Sequence, residues 1–159
     1  MTFSKFASTL SLRQAKTSDS DEISDIWLAA SLRAHDFLPS RYWWERQEAL
    51  QRLYQYESEV WVAEVSQQVC GFLVLVQHQL IALFVSPHWQ GKGIGSQLLA
   101  LAKRLRSHLQ LHLFVDNVAA YQFYLRHRFQ VLRYRSERYT GYPLVHMGFG
   151  AYPKMSARA

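Results

Sequence analysis

The chain has 159 residues and a mass of 18.6 kDa, the size of one domain. Apolar residues make up 49%, enough to build a core, and a single cysteine excludes an internal disulfide or a multi-cysteine metal cage. The formal charge of +6 is divided unevenly: residues 1–80 carry −3 and residues 81–159 carry +9, so an anionic partner is expected at the second half. The longest stretch without a polar side chain, from Val69 to Val76, is far short of the ~20 residues a spanning helix needs. The opening Met-Thr-Phe-Ser-Lys-Phe has no apolar core of a secretory signal, so a cytoplasmic chain with no membrane partner is the expectation.

Residues 9–14 read as a first strand. Asp19 with Glu22 three positions on has the spacing of a helix cap. Ile23, Ile26, Trp27 and Ala30 then recur at helical period. Pro39 suits the first turn of a second helix, striped by Trp43, Leu50 and Leu53 or Tyr54. Residues 60–65, 69–77 and 79–85 read as three strands, the first two joined by a turn at 66–68. The middle one is apolar throughout, as a strand covered on both faces would be. A helix follows, with Ile94, Leu98, Leu99, Ala102 and Leu105 on one face. Residues 109–115 alternate as a strand, and Asp116 or Asn117 caps a helix reaching about His127. Residues 129–135 and 144–149 are the last two strands. The expectation is an α/β chain: a mixed, mostly antiparallel central sheet of about seven strands flanked by about four helices. Residues 9–150 are expected to form one domain, with tails at 1–8 and 151–159.

The chemical signal is the segment Gln90-Gly91-Lys92-Gly93-Ile94-Gly95-Ser96, which follows a strand and opens a helix. A helix start offers unpaired N–H groups and partial positive charge. Glycines let an anion approach the backbone closely, and Lys92 adds a formal charge. Such a segment suits a pyrophosphate, and a ligand-free glycine turn is the plainer alternative. A P-loop would need Gly-Lys-Ser/Thr, but no lysine follows Gly95. A dinucleotide fingerprint would need glycine where Ser96 stands.

Read as Gln-x-x-Gly-x-Gly, the residues Gln90, Gly93 and Gly95 resemble the acetyl-CoA loop of the GNAT N-acetyltransferase superfamily. That family's second signature is an Asn-capped helix carrying Ala and Phe-Tyr, followed by Gly-Phe. Here Asn117, Ala120, Phe123 and Tyr124 precede Arg128-Phe129, so arginine stands where the family has glycine. The His35-Asp36-Phe37-Leu38 segment with Tyr42-Trp43 looks like small bacterial members of the YjaB/YiaC kind.

The resemblance implies an N-acetyltransferase that moves the acetyl group of acetyl-CoA to a primary amine by direct attack in a ternary complex, without a metal. It places the thioester beside residues 80–85, where a bulge splays that strand from residues 109–115. Main-chain groups of Leu83, Phe84 and Val85 would hold the pantetheine arm. The N–H groups of Gly91, Lys92, Gly93, Ile94, Gly95 and Ser96 would hold the pyrophosphate, with Gln90 opening the motif. Asn117 would touch the pantetheine arm and Arg126 an adenosine phosphate. Tyr124 is the expected general acid, since a phenol of pKa ~10 keeps its proton at pH 7. His35 is the first candidate for the base, beside Asp36, Glu64, His78, His146 or an ordered water. Cys70, in its apolar strand, reads as a small buried hydrophobe.

The acceptor stays open between a small amine and a lysine or N-terminal amine of a protein. The acidic first half is expected to draw cationic acceptors. A homodimer through the final strands is a further expectation. Two alternatives stand beside the enzyme: a catalytically silent CoA-binding sensor, and a basic nucleic-acid-binding module, although no RNP, KH or helix-turn-helix signature is present.

Overall fold

A computed structural model describes residues 9–56 and 58–151, with the backbone alone at 53–56. The rest of both expected tails, 1–8 and 152–159, lies outside the described residues. The elements are β1 (Leu10–Gln14), α1 (Ser20–Ala34), α2 (Ser40–Tyr56), β2 (Glu59–Val65), β3 (Gln68–Val76), β4 (Gln79–Val85), α3 (Ile94–Leu105), β5 (His108–Phe114), α4 (Val118–Arg126), β6 (Gln130–Ser136) and β7 (Pro143–Gly150). They build one seven-stranded sheet in the order β1-β2-β3-β4-β5-β7-β6.

Strands β1 to β4 are antiparallel neighbours, as their short connections require. The β2–β3 turn puts Ser66 and Gln67 at φ 50° and 65°, the two left-handed positions of a tight hairpin. The crossover through α3 makes β5 parallel to β4. Strand β7 lies between β5 and β6, so of the last two strands only β6 presents a free edge.

The core forms two layers, one on each side of the sheet. Leu98 and Leu99 of α3 pack with Leu109 and Met147, all fully buried, under α3 and α4. Ile26, Trp27 and Trp43 of the first two helices pack on Phe72 and Phe114 on the other face. Strand β3 is buried on both faces from Val69 to Leu75, in keeping with its unbroken apolar sequence.

Asp19 does not cap α1 through its side chain as its spacing suggests. Its carboxylate instead takes Arg13 at 2.8 and 3.0 Å and the Lys16 N–H at 2.7 Å. The same guanidinium reaches Glu64 at 2.7 Å, so one arginine ties β1, the entry to α1 and β2 together. A charge-assisted fork outcompetes a single capping bond.

Two irregularities shape the middle of the sheet. The β3–β4 register shifts between Val74 and Leu75, leaving Ile81 as an extra, exposed residue on β4. Beyond it β4 and β5 part: Gln79 opposite Gln110 is the one paired position between them.

Candidate active site

The divergence of β4 and β5 leaves backbone groups in the middle of the sheet without a strand partner, and such groups need another one. Their directions follow from one hydrogen bond. The Ser86 N–H donates to the Cys70 carbonyl at 2.8 Å, so Ser86 faces β3. Alternation along the strand turns Phe84 toward β3 as well, and turns the peptide groups of Leu83 and Val85 toward the gap. The Val85 carbonyl accepts the Gln90 side-chain amide at 3.0 Å. The Leu83 and Val85 N–H groups and the Leu83 carbonyl are left facing the opening. Of the three main-chain positions expected here, Phe84 is thus the exception: its peptide belongs to the β3 ladder and its ring packs on Phe72.

A cleft of about 420 Å³ runs from this gap to the glycine loop. Leu83, Phe84, Val85, Gln90, Gly91, Gly93, Ile94, Gly95, Ser96, Asn117, Tyr124 and Arg126 line it, so twelve residues singled out from the sequence converge on one opening. Ala30 and Ala34 of α1 also line it, so the cleft passes through the sheet and reaches its other face. Among the described residues Arg126 is the single charged one of the lining, which leaves the cleft electropositive. Lys92 does not line it; its ammonium sits 4.8 Å from the centre of the Trp89 ring. A second hollow of about 590 Å³, at the start of β2, holds Lys16, Asp21 and Glu59 and none of the expected site residues.

At the loop, Gly91 and Gly93 adopt φ 75° and 85°, a left-handed backbone natural to glycine. Gly93 is the N-cap of α3, so the first N–H groups of the helix are presented to the cleft without intrahelical acceptors. A Cβ on Gly95 would stand 3.7 Å from the Phe123 ring and 3.8 Å from Val85, so glycine there keeps the cleft open between α3 and α4. Ser96 Oγ lies 3.2 Å from His127 Nε2, fastening the loop helix to the end of α4.

Asn117 caps α4 through Oδ1, which accepts from the Ala120 N–H at 3.3 Å. Its amide nitrogen faces His35 Nε2 at 3.3 Å, and His35 Nδ1 lies 2.9 Å from the Ser31 carbonyl. A carbonyl can only accept, so Nδ1 carries the proton and Nε2 accepts from Asn117. Both nitrogens of His35 are therefore engaged. The ring is 6% exposed and stacks on Trp43 at 4.4 Å, and burial lowers its pKa. His35 stands behind Asn117 and is not part of the cleft wall.

Tyr124 is buried, with its ring 5.2 Å from those of Phe123 and Phe129. Burial raises its pKa, so the phenol keeps its proton at neutral pH. Its hydroxyl makes no hydrogen bond to any described residue. The end of α4 fixes the ring. The Phe129 N–H bonds to the Tyr124 carbonyl at 3.0 Å and the Arg128 N–H to the Leu125 carbonyl at 3.1 Å. These are the two bonds of a Schellman ending, completed by the Tyr124–Phe129 contact. Its left-handed position is occupied by Arg128 at φ 67°, so arginine adopts the conformation that glycine normally supplies.

The other base candidates lie elsewhere. Glu64 is paired with Arg13. His78 stacks on His108 at 3.6 Å, where β4 begins, at the opposite end of the strand from the glycine loop. His146 bonds Gln110 at 2.8 Å and stacks on His112, and Asp36 is exposed beyond the end of α1. Cys70 is buried, donates to the Ala63 carbonyl at 3.2 Å, and has its pKa raised by burial. No group of three metal-binding side chains occurs among the described residues, and no helix among them is long and apolar enough to cross a membrane. The Ala30 and Ala34 walls and the His35–Asn117 contact escaped sequence reading. The small residues at i and i+4 of α1 were the one available sign of a close approach.

Residues 56–131 match the model of an acetyltransferase (GNAT) domain. The match covers the gap, the glycine loop and α4, so this part of the chain resembles an acetyltransferase of the GNAT kind. The chain is similar to the peptidyl-lysine N-acetyltransferase YiaC of Escherichia coli, with 27% identity over 76% of this chain and 84% of the relative. It is likewise similar to the peptidyl-lysine N-acetyltransferase YjaB of Escherichia coli, with 29% identity over 88% of this chain and 97% of the relative. The solution structure of the apo form of that YjaB superposes with a TM-score of 0.79 over 90% of this chain and 99% of the other.

Proposed function

We propose that this protein transfers the acetyl group of acetyl-CoA to lysine side-chain amines of proteins, by direct attack within a ternary complex. The reading rests on the opening in the sheet, where unpaired peptide groups of β4 meet a helix N-terminus at one end and a protonated phenol at the other. The pyrophosphate sits on the N–H groups of the 91–96 loop, where helix charge and backbone donors meet. Gln90 braces that loop against β4, and Arg126 meets an adenosine phosphate. The pantetheine arm adds to β4 in place of a strand, using the Leu83 peptide and the Asn117 amide. The Val85 N–H donates to the thioester carbonyl and strengthens as negative charge grows on its oxygen.

The amine nitrogen attacks the carbonyl carbon, the C–S bond breaks, and Tyr124 donates its proton toward the departing sulfur. The amine's own proton leaves to water. His35 does not take it, because its one lone-pair nitrogen already holds Asn117; its role is to fix the Asn117 amide. A covalent acetyl-cysteine route does not suit Cys70, which is buried and held as a thiol. The YiaC and YjaB relatives, both named as acting on peptidyl-lysine, support the protein acceptor.

The test is a two-substrate rate study with acetyl-CoA and a lysine peptide, the product read by mass. Direct transfer predicts intersecting double-reciprocal lines. Tyr124→Phe is expected to lower kcat about a hundredfold with little change in the KM for acetyl-CoA. Parallel lines, or an unchanged kcat in Tyr124→Phe, would refute the mechanism.

A further inference from the structure

The β5, β7 and β6 strands carry a face that the first two helices leave largely uncovered. Residues directly opposite one another in an antiparallel pair share a face, so the register locates its side chains. Phe114 faces Leu144, and His112 faces His146, which in turn faces Arg133. Arg135 stands opposite Leu144 on the same side. Phe114 and Leu144 pack under the first two helices, next to the point where the cleft comes through the sheet. One step along β5, about 7 Å, the covered surface gives way to His112.

This face carries two arginines, Arg133 and Arg135, beside a pair of histidines. His112 and His146 stack at 4.3 Å. Burial first, and then the charges of Arg133 and Arg135, push the two imidazoles toward the neutral form, and His112, which also faces His146, is lowered to about 4. The histidines are therefore uncharged at pH 7 and the two arginines carry the positive charge. Neither arginine forms an ion pair among the described residues, whereas Arg13, Arg41, Arg52 and Arg106 all do. Both are exposed. The acidic first half was expected to draw cationic acceptors; the surface beside the opening has the reverse sign.

We propose that Arg133 and Arg135, beside the stacked His112–His146 pair, read acidic side chains flanking the acceptor lysine, so the preferred substrate is a protein segment with Asp or Glu next to its target lysine. This rests on the peptidyl-lysine reading above. A bound thioester lies in the cleft on the α3–α4 side, and the lysine reaches it through the gap from the other face. The segment carrying that lysine then lies over β5 and β7, within reach of both guanidiniums. Its flanking carboxylates meet unpaired arginines, which present two donors each and are spared the desolvation of a buried pair.

The test uses the full chain, acetyl-CoA and two peptides that differ only in Asp/Glu or Asn/Gln at the positions flanking one lysine. The acidic peptide is expected to have a kcat/KM about five- to tenfold higher, as two exposed ion pairs would give, mostly through KM. The preference is expected to fade in 1 M salt, where the screening length is ~3 Å. Arg133→Gln with Arg135→Gln is expected to abolish it while leaving the rate with a small neutral lysine amide unchanged, which shows that the variant is folded and active. Arg133→Glu with Arg135→Glu is expected to turn the preference toward lysine- or arginine-flanked peptides. Equal rates for the two peptides in the wild type would overturn the inference and leave the lysine reading intact. A preference that survives in the double variant would overturn it too. Turnover of the small amide but of neither peptide would overturn the peptidyl-lysine reading and this inference with it. A dimer in sedimentation that separates in the Arg133/Arg135 variant would assign the face to a second copy of the chain instead.

Discussion

Arg128 offers a quantitative check on how α4 presents Tyr124. Its φ of 67° places an L-residue in the left-handed region, at a cost of about 1–2 kcal/mol that glycine escapes. Glycine has more freedom in the unfolded chain, which offsets about 0.5–1 kcal/mol of that gain. A second contribution comes from charge. Lys103 donates to the His127 carbonyl at 2.5 Å, and its pKa is lowered by burial and by the Arg128 charge. Removing that charge lets the ammonium hold the helix end more firmly. Arg128→Gly is therefore expected to stabilise the protein by about 0.5–1 kcal/mol, raising the midpoint of thermal unfolding by about 1–4 °C. Arg128→Ala separates the two effects, since it removes the charge but keeps the strained backbone. It is expected to fall below Arg128→Gly by about 0.5–1 kcal/mol. Urea unfolding of the three proteins, with kcat measured alongside, is the assay. Equal stability of the glycine and alanine variants would refute the strain argument, and a changed kcat would mean that the turn does more than hold Tyr124 in place.

Gly93→Ala places a Cβ in open space, so its cost is torsional: about 1 kcal/mol of stability and a weaker grip on acetyl-CoA, read by calorimetric titration. An unchanged affinity would remove the loop from the binding site. Ser31 Oγ is buried without a hydrogen-bond partner among the described residues, so Ser31→Ala is expected to be neutral or to stabilise by up to about 1 kcal/mol in urea; a clear loss would show that the hydroxyl has a hidden role. Four histidines, His35, His112, His127 and His146, have pKa values lowered in the fold. The unfolded chain then binds more protons than the native one below ~6.5, so stability is full above that pH and is lost as the pH falls toward the folded values. Thermal midpoints are expected to hold from pH 9 to 7 and to drop between 6.5 and 5. The ion-paired Asp19 and Glu59, whose pKa values are lowered, lose their contributions only below ~4. A flat profile down to pH 5 would contradict the lowered pKa values of these four rings.

Much of the architecture was legible because it rests on local signals. The apolar run of β3, the alternation of β5 and the glycine loop each imply their structure within a few residues. The Asn117 cap and the Phe123-Tyr124 pair were legible for the same reason. What escaped depends on partners far along the chain. Asp19 has capping spacing, but Arg13 brings it into a fork shared with Glu64, 51 residues from that arginine. His35 looked like a base because its type and place suit one. Its proton is set by Ser31 and its lone pair by Asn117, 82 residues away, and no periodicity reports that contact. The extra residue at Ile81 is hidden in an apolar strand where one more isoleucine looks ordinary. The strand divergence it accompanies leaves the peptide groups of Leu83 and Val85, and not that of Phe84, facing the cleft.

The most direct test of the account is whether acetyl-CoA binds in the opening between β4, the glycine loop and α4. Acetyl-CoA at 100 times its dissociation constant should add ~2.7 kcal/mol and raise the thermal midpoint by about 5–10 °C. The account predicts that shift in the wild type, a much smaller one in Gly93→Ala, and none with NAD or a DNA oligomer. No shift at millimolar acetyl-CoA, or an equal shift in Gly93→Ala, would contradict it.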